Sequence, residues 1–232
     1  MSSPVAPASP GVLFADHLHR LQARTAVALE AEGFEGLVVH SGVVRYAFLD
    51  DQSYPYRANP HFAWWAPLHD APECFVHVRP GRRPRLLFHA PGDYWHKPPA
   101  LPREPWVAQF DVTPIGGADE ARAALGDMSR TAFIGEAFAG RDDFGFGAVN
   151  AERLLVRLHD ERTRKTPWEQ FQLRLASHRG AMGHVAAKAS FRAGDSELQI
   201  LQTFLSATAQ RELSLPYGAI VATGQNAATL HY

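Results

Sequence analysis

Hydrophobic positions change their spacing several times along this chain. Leu13, Phe14, Leu18, Leu21 and Leu29 recur at helical intervals, which predicts a helix over 12–32 with one apolar face. Gly33 stands where its C-cap belongs. The run "GLVVHSG" then reads as a short buried strand closed by Ser-Gly, followed by "YAFLDDQSYPY". A helix feeding a buried strand argues for an α/β layer. Residues 54–72 mix Pro, Asn and aromatics and read as a long ordered loop. "ECFVHVRPGRRPRLLFHA" has two β-rich runs around a turn and predicts a hairpin, and "PGDYWHKPPALPREPW" is a second Pro-rich loop. "VAQFDVTPI" and "RTAFIG" are candidate strands on either side of a short helix near 118–126. A further helix near 150–160 carries Leu154, Leu155 and Leu158.

The pattern shifts after this helix. Thr166, Pro167 and Glu169 occupy the N-cap, N1 and N3 positions of a long helix expected to reach about Arg192. Phe171, Leu175, Met182, Val185 and Ala189 share one face of it, and Gly194 ends it. Ser196 and Gln199 repeat the capping-box spacing for a second helix to about Gln210, with Leu198, Leu201 and Leu205 inward. "PYGAIVATGQNAATLHY" then reads as two β-rich runs around Gly224, Gln225 and Asn226. A boundary near 160–166 divides a first domain, 12–163, from a second segment, 164–232. Residues 1–11 are a Pro/Ser/Ala-rich tail expected to be disordered.

Composition narrows the classes. Of 232 residues, 46% are hydrophobic and 20% charged, which suits a globular chain with a real core. A net charge of -1 gives no basic surface for nucleic acid and no signal for membrane binding. No apolar run approaches the ~18 residues of a membrane span, and the N-terminal tail lacks the charged and apolar regions of a signal peptide. The single cysteine, Cys74, sits in the apolar run "CFVHV" and reads as a core residue. A reducing cytoplasm is the expected compartment.

Candidate chemistry is sparse at the level of single residues. The 12 histidines include no His-Glu-x-x-His and no Cys/His set with zinc spacing. His17 and His19 lie two apart on a helix and point to different faces, as do His178 and His184. "HSG" at 40–42 ends a strand where a nucleophile could sit, with no base or orienting acid indicated nearby. Asp50 and Asp51 follow a strand and read first as a solvated turn, with at most one carboxylate facing a pocket. Composition alone leaves His231 open between a core histidine and a site residue.

Six strings change this picture. "FLDDQSYPYRANPHFAWW", "DYWHKPP", "RKTPWE", "GHVAA", "PYGAIVA" and "NAATLHY", in this order, resemble the bacterial Xaa-Pro dipeptidases (prolidases) from about residue 12 onward. The resemblance implies an α/β protein: a creatinase-like N-terminal α/β domain followed by the opening part of a pita-bread α+β domain. It implies cleavage of dipeptides with a C-terminal proline, using two divalent metal ions, manganese in this reading. By the same resemblance His231 contacts substrate beside the metals and holds the tetrahedral intermediate, while Tyr217 and Leu230 line substrate pockets. The resemblance also implies that Asp51 is an acidic residue lent by one subunit of a homodimer to its partner's active site, with "YPYRANPHFAWW" at the dimer interface. "ATGQNAATLHY" and the Pro167-Trp168 pair depart from the usual family pattern and leave local loop shape open.

The family's metal ligands are expected beyond Tyr232, so no metal ligand is assigned within the chain. The 232 residues would then supply the substrate side of a site completed by further chain or by a companion C-terminal fragment. The alternatives are a non-catalytic derivative that dimerises or binds dipeptides, and a relative that hydrolyses organophosphorus esters.

Overall fold

A computed structural model describes residues 9–92, 94–95 and 97–230. The chain divides into two compact units, the first ending at Trp168 and the second beginning at Glu169.

The first unit is a mixed six-stranded sheet with helices on both faces. Its strands are β1 (Gly36–His40), β2 (Phe75–Val78), β3 (Arg85–His89), β4 (Asp111–Ile115), β5 (Thr131–Ile134) and β6 (Ala148–Val149), in the order β4-β3-β2-β1-β5-β6. β1 pairs antiparallel with β2 and parallel with β5, and β2 pairs antiparallel with β3 in the expected hairpin. Inside the expected run "VAQFDVTPI" only the second half is strand, because Pro105–Gln109 coils into a 3-10 turn.

Alternation along β1 explains why its run is apolar throughout. Leu37 and Val39 face a core built with α1 (Pro10–Glu32) and α4 (Glu152–Thr163), while Val38 faces a second core with α3 (Ala118–Leu125). A strand covered on both faces has no solvent side to be polar. The first core takes Phe14, Leu18, Leu21 and Leu29 from the expected stripe of α1, together with Leu154 and Leu158 of α4. Gly33 closes α1 at φ 76°, its N–H on the Glu30 carbonyl. Glu32 at the end of α1 meets Arg157 (2.7 Å) and Arg153 (3.4 Å), one turn apart on α4. The second core is aromatic: Phe75, Phe133, Phe138, Phe144 and Phe146 pack ring to ring.

The loop expected over 54–72 contains a helix, α2 (Pro60–Trp65), that buries His61, Phe62, Trp64 and Trp65. Asn59 caps it through a bond from the His61 N–H, and Pro60 sits at N1. Asn-Pro is itself a helix-start signal, and the surrounding Pro and aromatic residues obscured it.

The second unit holds most of α5 (Pro167–Ala193) and all of α6 (Glu197–Thr208). Gly194, at φ 84°, ends α5, and Ser196 with Gln199 forms the expected capping box on α6. Two expectations fail here. Leu198, expected inward on α6, is exposed; the apolar face of α5 is open as well, with Leu175, Met182 and Val185 exposed. The buried residues of α5 are instead Gly183 and Ser190. A Cβ on Gly183 would lie 2.6 Å from Phe204 and Thr208, so α6 approaches α5 along its small residues. The expected hairpin around Gly224 is also absent: among the described residues 209–230 there is no strand, only 3-10 turns at Glu212–Ser214 and Asn226–Ala228. β-rich composition does not make a ladder where no neighbouring strand supplies the hydrogen bonds.

Candidate functional site

Asp51 stands on a projection within the long connection between β1 and β2, closed at its neck. Tyr46 and Ser53 form a β-bridge, Ala47 N–H donates to the Gln52 carbonyl (2.9 Å), and Tyr54 N–H donates to that of Arg45 (2.7 Å). Asp50 and Asp51 lie at the turn rather than on a strand, beside Phe48 and Leu49, which are 91% and 90% exposed. Leu49 takes a left-handed conformation, φ 57°. Asp50 Oδ1 accepts the Gln52 N–H (2.9 Å), and this bond, helped by one with Asp51, holds the Asp50 carboxyl below its ordinary range.

The base of the projection is tightly tied. The Tyr56 hydroxyl donates to the Ser41 carbonyl (2.9 Å), Asn59 N–H reaches the same carbonyl (2.8 Å), and Asn59 Nδ2 donates to the His40 carbonyl (3.1 Å). Burial raises the Tyr56 hydroxyl to about 12. Ser41 is fully buried and its Oγ accepts the Cys74 N–H (2.9 Å). Its hydroxyl therefore joins β1 to the start of β2, and the strand-end nucleophile considered for "HSG" is not formed. His40 beside it packs on Phe75 and Phe138 and is pushed down to about 3, by burial first and then by His89. Cys74 is buried, and burial raises its thiol to about 12, far from a reactive thiolate.

Pattern reading passed over several histidines. His17 Nε2 lies 2.9 Å from the Trp64 carbonyl and Nδ1 lies 2.8 Å from Thr166 Oγ1. A carbonyl only accepts, so in the neutral ring Nε2 carries the proton and Nδ1 accepts from Thr166. Thr166, expected as a helix cap, is thus bonded to α1 through His17 within the first unit. His61 and His159 stack with their Nε2 atoms 3.1 Å apart, one donating and the other accepting. Burial, then Arg162 and His159, lowers His61 to about 4. His77 is buried with neither ring nitrogen bonded, and burial lowers it to about 4. These rings are structural, and nothing in isolated histidine spacing marks them out.

In the second unit, Tyr217 and Leu230 are exposed on the strand-free segment. His231, expected to act on substrate, lies outside the described residues. The segment is tied to α6 through Glu197: its Oε1 accepts the Thr223 N–H (2.7 Å) and the Asn226 side-chain amide (3.1 Å). Among the described residues no group of three or more His, Cys, Asp or Glu is placed to hold a metal ion. No helix among them is long and apolar enough to cross a membrane.

With this architecture in place, the comparisons with known proteins are decisive. The family described as Xaa-Pro dipeptidase, N-terminal domain, matches residues 12–159. The chain belongs to the Xaa-Pro dipeptidase family. An Xaa-Pro dipeptidase of Pseudoalteromonas atlantica is 43% identical over 221 residues, covering 95% of this chain and 50% of that protein. The chain spans about half the length of the curated relatives it matches. Among solved structures, Escherichia coli aminopeptidase P with the inhibitor Pro-Leu superposes at a TM-score of 0.66 and 18% identity, over 93% of this chain and 54% of that one. Zn-substituted E. coli aminopeptidase P in complex with product gives 0.57 and 17%, over 83% and 49%. At such identities the likeness is one of fold, and it places the chain in the creatinase-like, pita-bread class that the six strings imply. The family is a peptidase family.

Proposed function

We propose that the protein hydrolyses Xaa-Pro dipeptides in a metal-dependent reaction, and that this chain supplies the N-terminal domain and the substrate-side residues. The observation that carries this reading is the family match over residues 12–159, together with 43% identity to an Xaa-Pro dipeptidase. In this reading Tyr217 and Leu230 line the pockets that seat the dipeptide, and His231 holds the reacting carbonyl oxygen. Asp51 reaches the dipeptide bound by the partner of a homodimer. Support for that reach comes from the projection: Asp51 sits beside two almost fully exposed apolar side chains, Phe48 and Leu49, on a pinned base. Exposed apolar tips of this kind favour contact with another surface.

The two divalent ions, manganese in this reading, are held by residues other than those described, on the same or a companion polypeptide, and the roles given to this chain are binding roles. The reaction runs in the cytoplasm, where a single buried thiol stays reduced.

The test is proline release from Xaa-Pro dipeptides by the purified full-length protein with manganese, against Xaa-Ala dipeptides and a chelator control. The expected result is proline release that the chelator abolishes, with Asp51→Ala raising KM and leaving kcat nearly unchanged. No proline release with manganese present overturns the reading, and an unchanged KM in the variant overturns the role of Asp51.

A further inference from the structure

The segment that leads to Leu230 pairs with no strand among the described residues, so what fixes its position is a separate question from what it binds. Thr223 gives both of its donors to Glu197 Oε1, the N–H at 2.7 Å and the hydroxyl at 3.4 Å. Asn226 Nδ2 reaches Oε1 at 3.1 Å and Oε2 at 3.4 Å. One carboxylate thus collects these donors from the two sides of Gly224, which turns the chain at φ 54°. The 3-10 turn Asn226–Ala228 starts at the residue so held, and Thr229 N–H closes back on the Asn226 carbonyl (2.9 Å). Leu230 follows directly.

The carboxylate is itself well fixed. Glu197 is the first residue of α6, next to the capping box of Ser196 and Gln199. A carboxylate in the first helical turn sits in the favourable field of the helix N-terminus. Hydrogen bonds to an ionised acceptor are shorter and stronger than neutral ones, and the 2.7 Å bond from Thr223 fits that class.

We infer that Glu197 is a positioning residue for the substrate-side segment: its carboxylate clasps Thr223 and Asn226 and so sets where Leu230 stands. The inference rests on the proposed dipeptidase reading and adds a residue that does not touch substrate. Glu197 acts through the segment it holds, so its removal loosens substrate binding.

The experiment uses the full-length protein and compares Glu197→Ala, Glu197→Gln and Ser190→Ala. The last removes a buried hydroxyl bonded to Asp195 (2.6 Å) in the same unit and serves as the control for general loosening. Two readouts are taken: steady-state hydrolysis of an Xaa-Pro dipeptide, and amide exchange at Thr223. Glu197→Ala should raise KM about tenfold with a smaller fall in kcat, and should speed Thr223 exchange about tenfold or more, the scale set by losing a charged hydrogen bond. Glu197→Gln keeps an acceptor for the Thr223 N–H and should recover most of both. Ser190→Ala should leave KM within about twofold, the range of an uninvolved site.

Unchanged Thr223 exchange in Glu197→Ala overturns the clasp. Faster exchange with unchanged KM overturns its role in substrate placement. A wild-type protein that releases no proline overturns the dipeptidase reading instead, and the exchange readout alone then decides the clasp.

Discussion

The two units treat their apolar residues in opposite ways. Up to Trp168, the helices and both sheet faces bury their stripes, and side chains such as Phe14, Leu21, Leu86 and Phe133 are essentially sealed from solvent. From Glu169 onward, Leu173, Leu175, Met182, Val185 and Phe191 stand exposed, and the buried positions of α5 are Gly183 and Ser190. Both units have amphipathic helices with well-made ends. Helical signals therefore show where a helix runs and which face is apolar, but not whether a partner lies against that face.

That contrast can be broken or sharpened by measurement. The largest effect belongs to the first unit. Phe133→Ala empties a site ringed by Phe138, Phe146 and His40, and should cost about 3–5 kcal/mol in urea denaturation. A cost below about 1 kcal/mol would mean that the aromatic core collapses to fill the space.

A smaller effect comes from buried, neutral histidines. His77 falls from its ordinary 6.5 to about 4 in the fold. As pH drops, the unfolded chain takes up the proton first, so this contribution is complete above the unfolded value of about 6.5 and is lost as pH falls toward 4. At pH 5 the loss is about 2 kcal/mol. His77→Leu should remove it, narrowing the stability difference between pH 7 and pH 5 by about that amount. His40 and His61 shift in the same direction and steepen the acid limb further. An undiminished pH dependence in His77→Leu would place the acid sensitivity elsewhere.

The smallest effect sharpens the comparison. Val185 is 71% exposed on α5, and Val185→Ser should change stability by no more than about 0.5 kcal/mol. A loss approaching that of Phe133→Ala would show the stripe to be covered in solution.

Much of the first unit was legible because local and global signals agree there. The Leu spacing of α1 with Gly33, and the two runs around "RPGRRP", each point to one structure, and that structure forms. The capping box at Ser196 and Gln199 was equally readable, because its donors and acceptors lie within one turn. What failed depended on distant partners. The β-rich tail near Gly224 donates its Thr223 N–H to Glu197, 26 residues earlier, instead of to a strand. Leu198 of α6 was read as inward and stands exposed, because helical spacing does not say what lies against a face. At the candidate site, Asp51 was located by resemblance, but its setting on a projection tied down by Tyr56 and Asn59 required the fold. His17 was unreadable because its partners, Trp64 and Thr166, lie 47 and 149 residues away.

The pinned base of that projection carries a lesson about variation. Because the Tyr46–Ser53 bridge and the bond from Tyr54 N–H to the Arg45 carbonyl close the neck, residues 46–54 form a closed excursion whose length is uncoupled from the strands on either side of it. Lengthening such a loop costs only about 0.6 kcal/mol for each doubling. Insertions at the tip can therefore alter how far Asp51 extends while leaving the register of β1 and β2 untouched, so relatives can diverge in reach without redesigning the domain that carries it.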